Sequence, residues 1–145
     1  MYVDYLEKTS TQASQGEFWD VHWGHQKPNL FNLMETMPKR DVLAHLFEKA
    51  IPKDQAILEA GCGMGQYVAY LHKKGFTISG LDFSESTIKF VKSFFPDLDL
   101  MHGDLRAIPT AADSYGAVIC LGAIEHFEEG PQPILKELKR VLKPG

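Results

Sequence analysis

The sequence predicts an α/β fold, an open parallel sheet with helices on both faces, and three observations carry that expectation. The apolar run Ile57-Leu58-Glu59-Ala60 leads straight into Gly61-Cys62-Gly63-Met64-Gly65 and then into a helical pattern with Tyr67, Val68 and Leu71 on one face. The order strand, acid, helix then recurs, with Asp82 closing a second apolar segment and Asp104 a third. Finally, Ala117-Val118-Ile119-Cys120-Leu121-Gly122 is apolar throughout, as a parallel strand buried on both faces requires.

Taken in order, residues 1–52 read as an N-terminal helical segment and residues 53–145 as the core. Residues 1–28 are polar and aromatic, with Phe18, Trp19 and Trp23 close together; a helix that packs its aromatics on the core is one reading. A short helix is expected over 30–37 and a better one over 40–50, where Val42, Leu43, Leu46, Phe47 and Ala50 share a stripe. Pro52-Lys53-Asp54 turns into the first strand. The helix after the glycines should stop near Gly75, a favourable residue just past a helix end. Residues 75–82 alternate as a second strand ending in Asp82, and Ser84 is placed to cap a helix over 84–94 with Ile88, Val91, Phe94 and Phe95 inward. Residues 98–105 form a short third strand and the acid Asp104, and 107–113 form a loop. After the fourth strand, Pro131 and Pro133 open a helix whose Ile134, Leu135, Leu138, Val141 and Leu142 face inward.

Composition narrows the function. The 145 residues suffice for one modest core, and 44% apolar with 23% charged residues is ordinary for a globular chain. A formal charge of −4 argues against a nucleic-acid surface, which would be basic. No apolar run reaches the roughly 20 residues that span a bilayer. The start, Met1-Tyr2-Val3-Asp4-Tyr5, lacks a basic stretch followed by an apolar one, so a cytoplasmic protein is expected. Cys62 and Cys120 make neither a disulfide framework nor a zinc spacing and read as small buried thiols.

The glycine turn is built for a small-molecule cofactor: glycine lets the main chain approach a ligand, and the following helix N-terminus offers free N–H groups. A dinucleotide fingerprint would need a glycine where Gln66 stands; the pattern is E-x-G-x-G-x-G. Asp82 lies 21 positions beyond Gly61 (82 minus 61), where a second-strand acid can accept from both hydroxyls of a ribose. The competing role for Asp82 is an acid at a helix N-terminus, and for Asp104 an acid capping its own turn.

Four signals at these separations, Glu59 with the glycines, Asp82, Gly103-Asp104-Leu105 and the terminal Arg140-Val141-Leu142-Lys143-Pro144-Gly145, resemble the class I S-adenosylmethionine-dependent methyltransferases, specifically the small-molecule group that includes the ubiquinone and menaquinone biosynthesis enzymes. The resemblance runs from residue 57 to 145 and implies a Rossmann-like sheet and transfer of a methyl group from S-adenosylmethionine, with S-adenosylhomocysteine as product, to an oxygen, nitrogen or carbon nucleophile of a small molecule. It implies that Glu59, Gly61 and Gly63 hold the amino-acid end of the cofactor, with Cys62 and Gly65 also in the cofactor-binding set. It also places Asp82 on the ribose, Phe83, Asp104 and the Leu105 N–H on the adenine, and Leu121 in the floor. The N-terminal segment would then be a lid, as in similar enzymes.

His126, beside Glu125 and just beyond strand four, is the candidate general base; a hydrogen-bonded loop histidine is the other reading. Glu125-His126 is similar to the end of the E-x-x-E-H run of metal-using small-RNA 2′-O-methyltransferases, but Gly122 stands at the first Glu position, so no metal is expected. His22 and His25 are expected on the surface of the N-terminal segment. Two departures from the family stand out. Gly116 replaces a common acid, and the family continues past Lys-Pro-Gly into three further strands, so the chain is expected to be a truncated form. Strand four would then be an exposed edge, and a homo-oligomer through that edge is expected. The alternatives are a nicotinamide-nucleotide oxidoreductase and a non-catalytic module that binds S-adenosylmethionine.

Overall fold

The computed structural model describes residues 12–145. Helix α1 (Gln12–Gly24) is followed by a 3-10 turn (Lys27–Asn29) and helices α2 (Leu30–Glu35), α3 (Met37–Arg40) and α4 (Val42–Ala50). The core then alternates: β1 (Ile57–Ala60), α5 (Gln66–Lys73), β2 (Ile78–Asp82), α6 (Glu85–Phe94), β3 (Asp99–His102), β4 (Ala117–Ile119), a second 3-10 turn (Ile124–His126) and α7 (Gln132–Val141). All strand pairs are parallel and the sheet order is β3-β2-β1-β4. Because the chain leaves β1 toward β2 and β3 on one side and returns to β4 on the other, the C-terminal ends of β1 and β4 diverge into a crevice.

Strand alternation sorts the core onto two faces. Ile57, Ile78, Leu100 and Ile119 join Val68 and Leu71 of α5 and Ile88 and Val91 of α6 on one face. Leu58, Ala60 and Leu81 meet Ile134, Leu138 and Val141 of α7 on the other. In register between Glu59 and Leu100 sits Gly80. A Cβ there would come within 2.8 Å of Cys62 Sγ, Leu100 Cδ2 and Val68 Cγ2, so the glycine is what lets α5 lie close on the sheet.

The helix ends follow from local chemistry. Ser84 Oγ accepts from Thr87 N (3.1 Å) at the start of α6, and Asp41 Oδ1 accepts from Leu43 N (2.8 Å) at the start of α4. Gly75, at φ +85°, follows the end of α5, and its N–H closes the last turn on His72 O at 2.9 Å.

Several expectations need correction. Only part of the apolar stripe of α4 faces the core: Phe47 packs against it and edge-on to Tyr67, whereas Val42 is 78% and Leu46 53% exposed, and Ala44 is the buried residue. What fixes α4 is its other face, where Tyr67 Oη donates to Asp41 Oδ2 and Tyr70 Oη to Glu48 Oε2, both at 2.6 Å. Phe94 is exposed and packs edge-on against Phe31 and Phe90, and Leu135 of α7 is exposed as well. Strand β4 is three residues rather than six, and Ala117 and Val118 are only half-buried. The reason is its position: among the described strands only β1 pairs with it. At its start, Tyr115 N donates to Val141 O (3.0 Å) and Lys143 N to Tyr115 O (2.8 Å), so the segment after α7 covers part of that edge. Gly116 has its own cause: a Cβ would lie 2.5 Å from Gln55 Oε1, and the Gln55 side chain occupies the space a larger residue would need.

Gly80→Ala is expected to lower the free energy of unfolding by about 1–3 kcal/mol, the usual cost of overpacking a tight core. Urea denaturation measures it, and an unchanged midpoint would contradict the close α5–sheet contact.

Candidate cofactor site

The site begins where β1 ends. Gly61 N and Cys62 N both donate to Leu81 O (2.8 and 3.0 Å), which binds the turn to the neighbouring strand, and Gly65 N closes it on Cys62 O at 2.8 Å. Gly61, Gly63 and Gly65 have φ of +83°, +52° and +75°, the left-handed region where other residues are strained. Close approach adds a second requirement at two of them. A Cβ on Gly61 would meet Ala123 Cβ at 2.7 Å, and one on Gly63 would meet Trp23 Cζ2 at 2.3 Å. The indole of α1 therefore lies directly against the glycine turn.

Two buried acids support this turn. Glu59, 4% exposed, shares the face of Ile57, beneath α5, and its Oε2 accepts from Val68 N at 3.1 Å. Burial pushes its carboxyl up to about 8; the Val68 N–H opposes the shift and the neighbouring Asp82 adds to it. Asp82, 7% exposed, accepts from Gly63 N at 2.7 Å through Oδ2 and from Ser84 N at 2.9 Å through Oδ1. One carboxylate thus joins the glycine turn to the entry of α6. Burial raises it above the usual carboxylate range, with the Ser84 and Gly63 N–H groups pulling the other way.

Asp104 is arranged differently. Arg106 reaches it through Nε (3.0 Å to Oδ1) and Nη2 (2.7 Å to Oδ2), while Arg106 Nη1 donates to Glu129 Oε1 at 2.7 Å and the guanidinium lies over the Phe127 ring. Burial alone would raise Asp104; the Arg106 hydrogen bonds outweigh it and hold the carboxyl below its ordinary value. The carboxylate expected on the adenine amino group is held by Arg106, and the residue that reaches the cavity here is Leu105.

That cavity, about 870 Å³, opens at the C-terminal ends of β1, β2 and β4. Of the residues expected from the sequence, Glu59, Gly61, Cys62, Asp82, Phe83, Leu105, Leu121 and His126 line it; Gly63 and Gly65 shape the turn beneath without lining it. His22 and His25 are exposed, as expected for the surface of the N-terminal segment, and that surface also lines the cavity, together with Phe18, Trp19 and Trp23 of α1. Their spacing carried a signal: Trp19, His22 and Trp23 fall on one helical face. Trp19 makes an edge contact with His126 (4.9 Å between centroids), so α1 reaches across to the turn after β4. On its other side, Asp20 Oδ1 accepts from Ser84 Oγ and Ser86 Oγ at 2.5 and 2.8 Å.

Burial, then His126 and His25, lower the pKa of His22, and Asp82 opposes them. Cys62 is buried, which pushes its thiol well up; Cys120 is half-buried and pushed up to about 11 by the same cause. Among the described residues no group of three His, Cys, Asp or Glu side chains could hold a metal ion, and no helix is long and apolar enough to cross a membrane.

A parallel sheet of this order, with a glycine turn after β1 and a buried acid ending β2, defines an α/β protein of the class that binds an adenosine-containing cofactor at its strand ends. The chain belongs to the methyltransferase domain family, whose sequence model matches residues 57–145. It is similar to a probable S-adenosylmethionine-dependent methyltransferase of Mycolicibacterium smegmatis, at 35% identity over 89 residues, 61% of this chain and 34% of that protein. It is also similar to the demethylmenaquinone methyltransferase of Renibacterium salmoninarum, at 34% identity over 96 residues, 66% of this chain and 40% of that protein. Among solved structures, a TehB-like S-adenosylmethionine-dependent methyltransferase from Corynebacterium glutamicum superposes with a TM-score of 0.69 and 28% identity, covering 84% of this chain and 67% of that one. The chain thus spans between a third and half the length of these curated relatives. The family's cofactor is S-adenosylmethionine, and the residues present suit it: a buried carboxylate at the end of β2, apolar Phe83 and Leu105 nearby, and two unpartnered buried polar atoms, Trp23 Nε1 and Gln66 Oε1, on lining residues.

A raised carboxyl stabilises the fold below its unfolded pKa and loses that contribution as pH climbs through its folded value. For Glu59 the window runs from its ordinary 4.5 to about 8. Glu59→Gln keeps an acceptor for Val68 N–H but has no proton to lose. Its Tm is therefore expected to fall less than that of the wild type between pH 5 and 8; parallel profiles would contradict the burial of Glu59.

Proposed function

We propose that the chain binds S-adenosylmethionine across the glycine turn and that the whole protein transfers its methyl group to an oxygen, nitrogen or carbon nucleophile of a small molecule. The observation that carries this reading is Asp82: a buried carboxylate at the strand end, fixed by Gly63 N and Ser84 N and lining the cavity. Each oxygen keeps acceptor capacity for a ribose hydroxyl. When bound, the cofactor supplies an electrophilic sulfonium methyl whose leaving group is a neutral thioether.

The protein's share is alignment and exclusion of water. Phe83 and Leu105 offer apolar surface to the adenine, with Asp104 and Arg106 holding that segment in place. Glu59, Gly61 and Gly63 hold the amino-acid end, with Cys62 and Gly65 in the same turn; Asp104 and the Leu105 N–H serve the adenine, and Leu121 contributes to the floor. His126 accepts a proton from the acceptor where its nucleophile carries one. Helix α1, held to α6 through Asp20 and touching His126 through Trp19, is a lid, with residues 1–52 as a unit distinct from 53–145; residues 1–11 of that unit lie outside the described residues. The uncovered part of β4's outer edge offers backbone groups to a second copy, so a homo-oligomer through it is proposed.

Isothermal titration of the chain with S-adenosylhomocysteine is expected to show binding that Asp82→Asn weakens by about tenfold or more, since one charged acceptor becomes neutral. NADH is expected to leave no heat of binding. A folded chain that ignores S-adenosylhomocysteine would overturn the cofactor reading. Light scattering at high concentration is expected to show a dimer or larger species, and a clean monomer would remove the edge proposal.

A further inference from the structure

The segment after β4 carries Glu125, His126 and Phe127 into the cavity wall, yet little of its own structure holds it there. The backbone hydrogen bonds of its 3-10 turn stay inside the segment: His126 N donates to Ala123 O at 3.3 Å, and Gly130 N to Phe127 O at 3.0 Å. Among the described residues, the side-chain hydrogen bond that fastens 123–130 to the rest of the fold runs from Arg106 Nη1 to Glu129 Oε1, at 2.7 Å. The same guanidinium lies over the Phe127 ring, 5.2 Å from its centroid. Its other edge grips Asp104, with Nη2 donating to Oδ2 at 2.7 Å and Nε to the two oxygens at 3.0 and 3.1 Å. Leu105, between these two residues, lines the cavity, as Phe127 does. One planar group therefore spans from the wall after β3 to the wall that carries His126.

We propose that Arg106 is a positioning residue of the acceptor wall: anchored on Asp104, it fixes Glu129 and Phe127 and, through them, the place of His126. This rests on the reading of His126 as proton acceptor given above. Arginine suits the role because its rigid fork of donors serves two carboxylates in fixed directions at once. A lysine, a point charge on a flexible stem, holds one or the other. The two halves differ in strength. Arg106 and Asp104 are 24% and 16% exposed, whereas Glu129 is 42% exposed, so water weakens the Glu129 contact more and the anchor stays on Asp104. The anchor also coexists with the adenine. The Arg106 backbone N–H donates to Asp104 Oδ1 at 2.8 Å, and with Nε and Nη2 that makes three N–H groups on the carboxylate. About one of its roughly four acceptor sites is left over. On the opposite side, Trp19 touches His126, so the histidine sits between α1 and the Arg106 clamp.

That last contact makes the position of the wall readable. The sequence holds two tryptophans, and they touch different parts of the site: Trp19 meets His126 and Trp23 meets Gly63. Protein made with fluorinated tryptophan therefore gives one fluorine resonance from the acceptor wall and one from the glycine turn, assigned with Trp19→Phe. Glu129→Ala removes the clamp and leaves the anchor; Arg106→Lys keeps the charge and loses the fork. Both are expected to displace the Trp19 resonance and leave that of Trp23 in place. Glu129→Gln, which retains an oxygen for Nη1, is expected to bring the Trp19 resonance back toward its wild-type position. Glu129→Ala is expected to keep its affinity for S-adenosylhomocysteine within about twofold, since an exposed ion pair away from the cofactor is lost. A Trp19 resonance unmoved by both Glu129→Ala and Arg106→Lys, or equal displacement of the two resonances, overturns the positioning role while the cofactor reading stands. Wild-type protein that ignores S-adenosylhomocysteine overturns the cofactor reading, and the role assigned to the wall with it.

Discussion

The site depends on the carboxylate of Asp82. It ends β2, yet its two oxygens are held by Gly63 from the turn after β1 and by Ser84 from the start of α6. The three glycines of the turn, with φ of +52° to +83°, have no side chains to fix this left-handed path. The acid of the neighbouring strand does it instead, and Leu81 O, one residue earlier, fixes Gly61 and Cys62. Strand pairing thus sets the geometry of the turn: Ala60 is in register with Leu81, which puts Asp82 beside the point where β1 gives way to glycine. The burial that makes these contacts strong also makes the charge costly, which is why Asp82 and Glu59 are both raised.

Much of the fold was legible in the sequence, because strands and helices here carry their period and their stops. Gly75 and Ser84 do what their residue types imply at helix ends. Where the reading failed, a polar contact overrode the apolar pattern. The stripe on α4 has the pattern of a core face, but Asp41 and Glu48 dock to Tyr67 and Tyr70, and those hydrogen bonds leave Val42 and Leu46 outward while Phe47 still packs inward. No periodicity encodes such a pairing, since its partners lie 26 and 22 residues apart. The run 117–122 has the composition of a central strand, yet only three residues pair, because among the described strands β1 alone neighbours it.

Site legibility divides in the same way. Residues fixed by the strand-and-turn pattern, Glu59, Gly61, Asp82, Phe83, Leu105 and Leu121, line the cavity. Asp104 ends the segment after β3 as its place in the sequence implies, and its carboxylate accepts from Arg106, two residues on. The α1 contributions were hidden, because nothing within residues 12–24 says which part of the core they cover. Trp23 becomes intelligible only against Gly63: the absent side chain makes room for the indole, so the glycine serves the packing of α1 as well as the turn.

The most direct test of the account follows the amide resonances of the chain as S-adenosylhomocysteine is added. Binding over the glycine turn predicts that the backbone N–H signals of Gly63, Ser84 and Leu105 and the indole N–H of Trp23 shift together, saturating with one dissociation constant. Shifts confined to the shallow hollow formed by Asn32, Thr36, Arg40 and Asp41, or no shifts at all, would contradict it.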